Sequence, residues 1–214
     1  MLDARLNALL KRPLGALARR LLASGLTPDT VSWAGFVCGL GAVPLIALGR
    51  PALALVCIAL NRLADGLDGA MARQSQPTDR GAFLDISLDF LFYSSIPLAF
   101  AIADPARHGL AAAVLIYAFV GTGSTFLAFA VIAAQRGLAS TVHPGKGFHY
   151  LGGLTEATET IAVFCLMCLV PAWFNPLALG FAALCGITVV TRIAAGLRAF
   201  STPADATRRA RGQP

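Results

Sequence analysis

The stretch that decides the fold is LADGLDGAMARQSQPTDRGAFLDISLDF, residues 63–90. It holds five of the chain's eleven acidic residues, Asp65, Asp68, Asp79, Asp85 and Asp89, and sequence rich in leucine, alanine and valine flanks it on both sides. Carboxylates set into such sequence are costly if the surrounding solvent is lipid, because one aspartate at mid-membrane costs about 2.5–3.5 kcal/mol on insertion scales. Whether that solvent is lipid is settled by the rest of the chain.

The 214 residues are 57% hydrophobic and 13% charged, with a mean hydropathy of +0.70. A soluble domain carries about 25% charged residues. About 20 apolar residues cross a 30 Å hydrocarbon core, and six runs approach or exceed that length, near 31–49, 51–72, 82–103, 109–134, 154–172 and 176–198. The predicted fold class is therefore an all-α membrane protein with six transmembrane helices spanning residues 25–200. The second and third runs are the least apolar, since the aspartates interrupt them.

Residues 1–24 place leucines at 10, 14, 17 and 21, with Leu2 and Leu6 before them, while Lys11, Arg12, Arg19 and Arg20 fall mostly off that stripe. This spacing predicts an N-terminal amphipathic helix lying in the cytoplasmic interface, divided at Pro13. Residues 201–214 read as a basic cytoplasmic tail. With the N-terminus inside, six spans put fifteen of the 17 Lys and Arg residues on the cytoplasmic side and leave Arg50 and Arg107 outside. That asymmetry predicts both termini in the cytoplasm of a cell whose inner membrane the protein crosses. The N-terminal segment is too charged for a cleaved signal peptide.

Local signals place the ends of the spans. In LTPDT, residues 26–30, Thr27 is an N-cap, Pro28 takes the first helical position and Asp29 sits in the first turn. Arg50-Pro51, DPARH at 104–108 and PAWFNP at 171–176 read as outer turns, and QSQPTDR at 74–80 and residues 135–153 as inner loops. The five cysteines all lie in apolar runs. CLMC at 165–168 has no second pair or nearby histidine to make a metal or redox site, so they read as packing residues. The arginines are scattered over inner helix ends rather than gathered with aromatics, which gives no nucleic-acid surface.

Asp65 comes 14 residues after Pro51, about 21 Å along a helix at 1.5 Å per residue, and so lies near the cytoplasmic interface. Asp85 and Asp89 begin the next span from the same side. Asp65 and Asp68 are spaced i, i+3 and Asp85 and Asp89 i, i+4, so each pair shares a helix face. If the faces meet, four carboxylates converge in a half-buried cup that requires cations. Oxygen ligands suit Mg²⁺ or Mn²⁺, and two such ions are the standard device of phosphoryl displacement. Gly66, Gly69 and Gly81 leave clearance beside the carboxylates, and Arg73 has the reach to hold a phosphate or pair with a carboxylate. The plainer alternative is that the aspartates cap helix ends and pair with Arg62, Arg73 and Arg80. For Asp79, in the loop, that plainer reading is preferred. A cation transporter using the same carboxylates is the alternative function.

The eight positions Asp65, Asp68, Gly69, Ala72, Arg73, Gly81, Asp85 and Asp89 resemble the signature of the CDP-alcohol phosphatidyltransferase family, D-x2-D-G-x2-A-R-x8-G-x3-D-x3-D, with seven residues instead of eight between Arg73 and Gly81. The resemblance implies transfer of the phosphatidyl group of CDP-diacylglycerol to a small polar alcohol, with release of CMP, by two-metal-assisted single displacement. It implies Asp65, Asp68, Asp85 and Asp89 as ligands of two Mg²⁺ or Mn²⁺ ions, with Asp89 also the general base. Asn61, Gly69, Ala72, Arg73 and Gly81 would form the CDP pocket, and the protein would be a homodimer with its site open to the cytoplasm.

The acceptor side is less specific. Glu156 and Glu159, the only glutamates, either sit in a helix first turn behind an N-cap Thr155 or bind an acceptor ammonium or sugar hydroxyls. Arg136, His143, Lys146, His149 and Arg192 are candidates for an acceptor or lipid phosphate. His108 falls outside and reads as incidental. GKG at 145–147 lacks the rest of a P-loop.

Overall fold

A computed structural model of the chain describes residues 2–137 and 155–201, with side chains from Pro13 onward. Among these residues the protein is all-α: α1 (Leu2–Ala23), α2 (Pro28–Leu40), α3 (Ala42–Ala47), α4 (Pro51–Ala72), α5 (Asp79–Ala103), α6 (Pro105–Gln135), α7 (Ala157–Leu169), a 3-10 turn (Pro171–Trp173) and α8 (Phe174–Ala199). Four stretches are long and apolar enough to cross a membrane, Pro28–Ala47, Asp79–Ala103, Pro105–Gln135 and Pro171–Ala199. The helix α4 has the length, 22 residues, but Arg62, Asp65 and Asp68 reduce its apolar character. The helix α7 is apolar but has 13 residues, so the expected fifth span, 154–172, is only partly helical among the described residues. The tail beyond residue 201 and the side chains of the leucine stripe up to Leu10 lie outside what is described.

Helix ends follow local chemistry. Thr27 caps α2, its hydroxyl accepting from the Thr30 N–H at 3.3 Å, and Pro28 opens the helix. The first expected span is broken between α2 and α3. Pro44 has no N–H to give the Leu40 carbonyl, and the helix is interrupted at Gly41. Glycines with positive φ close helices, among them Gly25 (φ 85°) after α1 and Gly49 (φ 73°) after α3. In these two, the next N–H reaches back five residues, Leu26 to the Leu21 carbonyl at 3.2 Å and Arg50 to the Leu45 carbonyl at 2.8 Å, a geometry that left-handed glycine makes easy. Thr78 caps α5 by accepting from the Gly81 N–H at 3.0 Å. The helix therefore starts at Asp79 rather than at 82, and Asp79 stands in its first turn, not in a loop. One further expectation fails. Pro13 lies inside a continuous α1. The helix α7 begins at Ala157, and the Thr155 hydroxyl donates to Thr188 at 3.1 Å.

The chain forms two compact units. The first holds residues 1–116 and 157–179. Its core sets α2 on α4 with almost no clearance: a Cβ on Gly35 would lie 2.3 Å from the Ala64 Cβ, and one on Gly39 would lie 2.9 Å from both the Asn61 amide and the Phe92 ring. Small residues of this kind let helix backbones approach in a membrane, where lipid supplies no hydrophobic drive for helix association. Phe92, Ile96, Phe164 and Phe174 are fully buried in this unit. Ala18 of α1 packs on Ala70 and Met71 at the end of α4, with Leu14, Leu21, Leu22 and Val31 around them. His108, expected to be incidental, is buried. Its Nδ1 lies 2.8 Å from Asn175 Oδ1, and the Asn175 amide donates to the Arg107 carbonyl at 2.9 Å, so the start of α6 is tied to the start of α8.

The second unit holds residues 117–156 and 180–214. Phe119 meets Phe181 edge-on at 6.2 Å, and Phe129 packs on Phe200 at 4.8 Å. In both units many large apolar side chains, including Val37, Leu48, Leu110 and Val190, are exposed, which suits a chain whose solvent is lipid.

The Gly35 contact gives a direct test. Gly35→Ala must push α2 off α4, at a cost of about 1–3 kcal/mol for overpacking, and is expected to lower the thermal unfolding midpoint in detergent. Gly180→Ala, where an added Cβ meets nothing within 4 Å, should leave the midpoint unchanged or raise it.

Candidate metal centre

The cup predicted from helical spacing is formed by α4 and α5, with α2 as its third wall. One cavity is lined by Ser32, Gly35 and Phe36 of α2, Asn61, Arg62, Asp65 and Asp68 of α4, and Asp85, Leu88 and Asp89 of α5. One ligand oxygen from each of Asp65, Asp68 and Asp85 falls within 4.8 Å of the other two. Cis and trans oxygens around one octahedral Mg²⁺ lie about 3–4 Å apart, given metal–oxygen distances of 2.0–2.1 Å. A small closing motion would therefore seat an ion, and the oxygen-only donor set fits Mg²⁺ or Mn²⁺ and not zinc or copper.

Each carboxylate is held differently. Asp68 is buried, 6% exposed, and the Ser32 hydroxyl donates to its Oδ2; the Pro28 carbonyl, 3.2 Å from the same hydroxyl, is the alternative acceptor. Asp65 is partly open, with a side-chain exposure of 35%, and its Oδ2 lies 3.6 Å from Arg62 Nη1. Asp85 is exposed. Asp89 lines the same cavity, but its oxygens face other partners. Its Oδ1 accepts from Arg62 Nη2 at 2.7 Å and its Oδ2 from the Tyr93 hydroxyl at 3.3 Å.

The remaining residues of the expected CDP pocket are placed as follows. The Asn61 amide is committed inside the protein: it donates to the Gly35 carbonyl at 3.0 Å and accepts from Arg62 Nε at 2.9 Å. Gly69, Ala72, Arg73 and Gly81 are not part of the cavity wall. A Cβ at Gly69 would lie 3.3 Å from Arg73 Nη1, so the glycine leaves the guanidinium its position at the end of α4. A Cβ at Gly81 would lie 3.2 Å from the capping Thr78 hydroxyl and 3.5 Å from Asp29 Oδ1. Of the three arginines weighed as plain partners, Arg62 does pair with the site aspartates, while Arg80 pairs with Asp29 at 3.0 Å. Arg73 makes no ion pair among the described residues.

The acceptor candidates divide. In the second unit, Arg192 Nη1 donates to the Thr122 carbonyl at 3.0 Å, and its guanidinium lies 5.7 Å from the Phe126 ring centre. In the same unit Arg136 donates to the Phe200 carbonyl at 3.2 Å. Glu156 directly precedes α7 and Glu159 stands in its first turn. His143, Lys146 and His149 lie outside the described residues. Ser32 and Tyr93 are site residues that sequence reasoning missed. A serine one turn after a helix cap and a tyrosine one turn after Asp89 offer no signal until α2, α4 and α5 are brought together.

Apolar helices carrying an oxygen-only carboxylate cluster, of which Asp68 is the buried member, fit a divalent cation at the lipid boundary. Comparison with known proteins makes the class specific. The family model for CDP-alcohol phosphatidyltransferase matches residues 25–196. The chain is 51% identical over 196 residues to the inner membrane protein YnjF of Escherichia coli, covering 92% of this chain and 95% of that protein. It is 26% identical over 194 residues to the archaetidylinositol phosphate synthase of Pyrococcus horikoshii, covering 89% and 94%. Its fold matches that of the phosphatidylinositol phosphate synthase of Mycobacterium tuberculosis. With CDP-DAG bound, that structure gives a TM-score of 0.64 at 26% identity, covering 87% of this chain and 94% of that one. With manganese and citrate it gives 0.69 at 24% identity, covering 86% and 88%. The chain belongs to the CDP-alcohol phosphatidyltransferase family. It is an integral membrane phosphotransferase of phospholipid biosynthesis.

Ser32→Ala removes the hydroxyl donor from Asp68. A hydrogen bond to a charged group contributes about 1.5–3 kcal/mol, so transferase activity is expected to fall roughly tenfold or more. Ser32→Thr, which keeps the hydroxyl, should retain most of it.

Proposed function

We propose that the enzyme transfers the phosphatidyl group of CDP-diacylglycerol to a small polar alcohol, with release of CMP, at the cavity between α2, α4 and α5. The observation that carries this reading is the convergence of Asp65, Asp68 and Asp85 within 4.8 Å in a chain of this family. CDP-diacylglycerol as donor is supported by the M. tuberculosis relative, whose structure holds CDP-DAG. Asp65, Asp68 and Asp85 would hold the Mg²⁺ or Mn²⁺; two ions with Asp89 as a further ligand is the fuller form of the proposal. When bound, such ions neutralise the pyrophosphate and stabilise CMP as a leaving group.

The chain's own part is orientation and proton transfer. The acceptor oxygen bonds to the phosphatidyl phosphorus as the bond from that phosphorus to the CMP oxygen breaks. An alcohol is a weak nucleophile, so its proton must leave as the attack proceeds. Asp89 takes it. Oδ1 is held by Arg62 at 2.7 Å and Oδ2 accepts from the Tyr93 hydroxyl at 3.3 Å, so Oδ2, with the longer and weaker contact, is the oxygen to receive it. Ser32 keeps Asp68 turned into the cavity. Asn61, Gly69, Ala72, Arg73 and Gly81 would serve the CDP pocket: Arg73 as a phosphate partner, Asn61 indirectly by holding Arg62, and the two glycines by the clearance they leave.

For the acceptor we favour a phosphorylated polyol. Two of the relatives are named as inositol phosphate lipid synthases, and Arg136, Lys146, His149 and Arg192 offer cations for a phosphate, with Glu156 and Glu159 for hydroxyls. A plain polyol or an amino-alcohol is the second choice. The proposal places the protein in the inner membrane, as the name of its E. coli relative supports. It comprises six spans, both termini and the site facing the cytoplasm, α1 in the interface, and a homodimer. The cation-transporter alternative has no support from the family to which the chain belongs.

Two measurements test this. Asp89→Asn should slow CMP release by about 10²–10⁴-fold, the range for loss of a general base; full CMP release would remove Asp89 from that role. A panel of inositol phosphate, glycerol 3-phosphate, inositol and serine, scored by product lipid, should give its highest turnover with a phosphorylated polyol. A preference for serine would redirect the acceptor assignment.

A further inference from the structure

Arg62 is a cation built into the wall of the carboxylate cavity, where its positive charge has no part in holding a metal ion. Its side chain is 18% exposed, and every guanidinium nitrogen is engaged. Nε and Nη2 donate to Asn61 Oδ1 at 2.9 and 2.6 Å. Nη2 also donates to Asp89 Oδ1 at 2.7 Å, and Nη1 to the Tyr93 hydroxyl at 3.2 Å while lying 3.6 Å from Asp65 Oδ2. The guanidinium carbon stands 5.0 Å from the Phe92 ring centre and 5.3 Å from that of Tyr93. Asn61 is itself fixed by the Gly35 carbonyl at 3.0 Å. A guanidinium held on both edges and against two rings cannot swing away as a surface arginine would.

We propose that Arg62 is a positioning residue with two separable effects, a proposal that rests on the reading of this cavity as the transferase site. Its planar fork fixes the plane of the Asp89 carboxylate, holding Oδ1 at 2.7 Å and leaving Oδ2, with its longer 3.3 Å contact to Tyr93, as the oxygen for the acceptor's proton. Its charge opposes divalent-ion binding, because it touches Asp65 of the metal group and adds positive charge within a few ångströms of where an ion sits. The enzyme thus gives up metal affinity for an aligned base. The two effects have opposite signs on removal. Without Arg62 the ion should bind more tightly and the reaction should slow. A residue that merely holds the fold together would, when lost, weaken both.

The test uses the full chain in detergent, stripped of divalent ions, with free Mn²⁺ followed by electron paramagnetic resonance and CMP release measured in parallel. Arg62→Gln should bind Mn²⁺ about tenfold more tightly or better, the scale of one unit charge at this separation in a partly polar site, with kcat at least tenfold lower. Arg62→Lys keeps the charge and loses the fork, so Mn²⁺ affinity should stay near wild type while kcat falls. Equal or weaker Mn²⁺ binding by Arg62→Gln would overturn the charge effect, and an undiminished kcat for Arg62→Lys would overturn the alignment. If the unsubstituted protein itself bound no Mn²⁺, or if Asp65→Asn bound it as well as the unsubstituted protein, the metal reading of the cavity would be the part that failed.

Discussion

The site depends on how closely α2 lies on α4. Gly35 has no room for a methyl group against Ala64, and three consequences follow from that absence. Ser32 comes within reach of Asp68. The Gly35 carbonyl meets the Asn61 amide. Through Asn61, Arg62 is set where it can hold Asp89. A close contact between α2 and α4 thus fixes two carboxylates, Asp68 on α4 and Asp89 on α5. Side-chain packing alone would leave such groups about as mobile as their rotamers allow. A hydrogen-bonded chain anchored to backbone restricts them, and that kind of support is what a reacting constellation needs.

Electrostatics explains why this arrangement belongs to an enzyme that binds cations and anionic phosphates. Four carboxylates line one cavity with Arg62 among them. Such a group is unstable as isolated negative charge in a low-dielectric surround. A divalent cation would supply the compensating positive charge, and the pyrophosphate of the proposed donor would in turn neutralise the cation. The same reasoning explains the exposed Asp85 and half-open Asp65 beside the buried Asp68: one side of the group must remain accessible to a nucleotide.

Much of this was legible in the sequence, and what was not has a physical cause. Asp65/Asp68 and Asp85/Asp89 declared themselves because helical spacing is a local property, and carboxylates in apolar sequence are costly enough to demand a reason. Thr27-Pro28 gave a helix start for the same local reason. The start of α5 was misplaced because hydropathy first rises at residue 82, whereas the helix is set by the Thr78 cap and Asp79, which are polar. The break before α3 required weighing one proline's missing N–H inside an apolar run. Ser32, Tyr93 and the clamp on Arg62 were out of reach. Ser32 and Asp68 are 36 positions apart and Arg62 and Tyr93 31, and nothing local to either partner marks such contacts.

The central claim is that the aspartate cavity performs metal-dependent transfer from a CDP-linked lipid. The most direct measurement is CMP release from CDP-diacylglycerol by the purified, metal-stripped protein across a panel of acceptor alcohols, with Mg²⁺ or Mn²⁺ restored and with a chelator in their place. CMP release in step with product lipid is expected when the ion is present, with loss of both under the chelator. Release that proceeds equally under the chelator, or an absence of CMP with every acceptor in the presence of the ion, would contradict the claim.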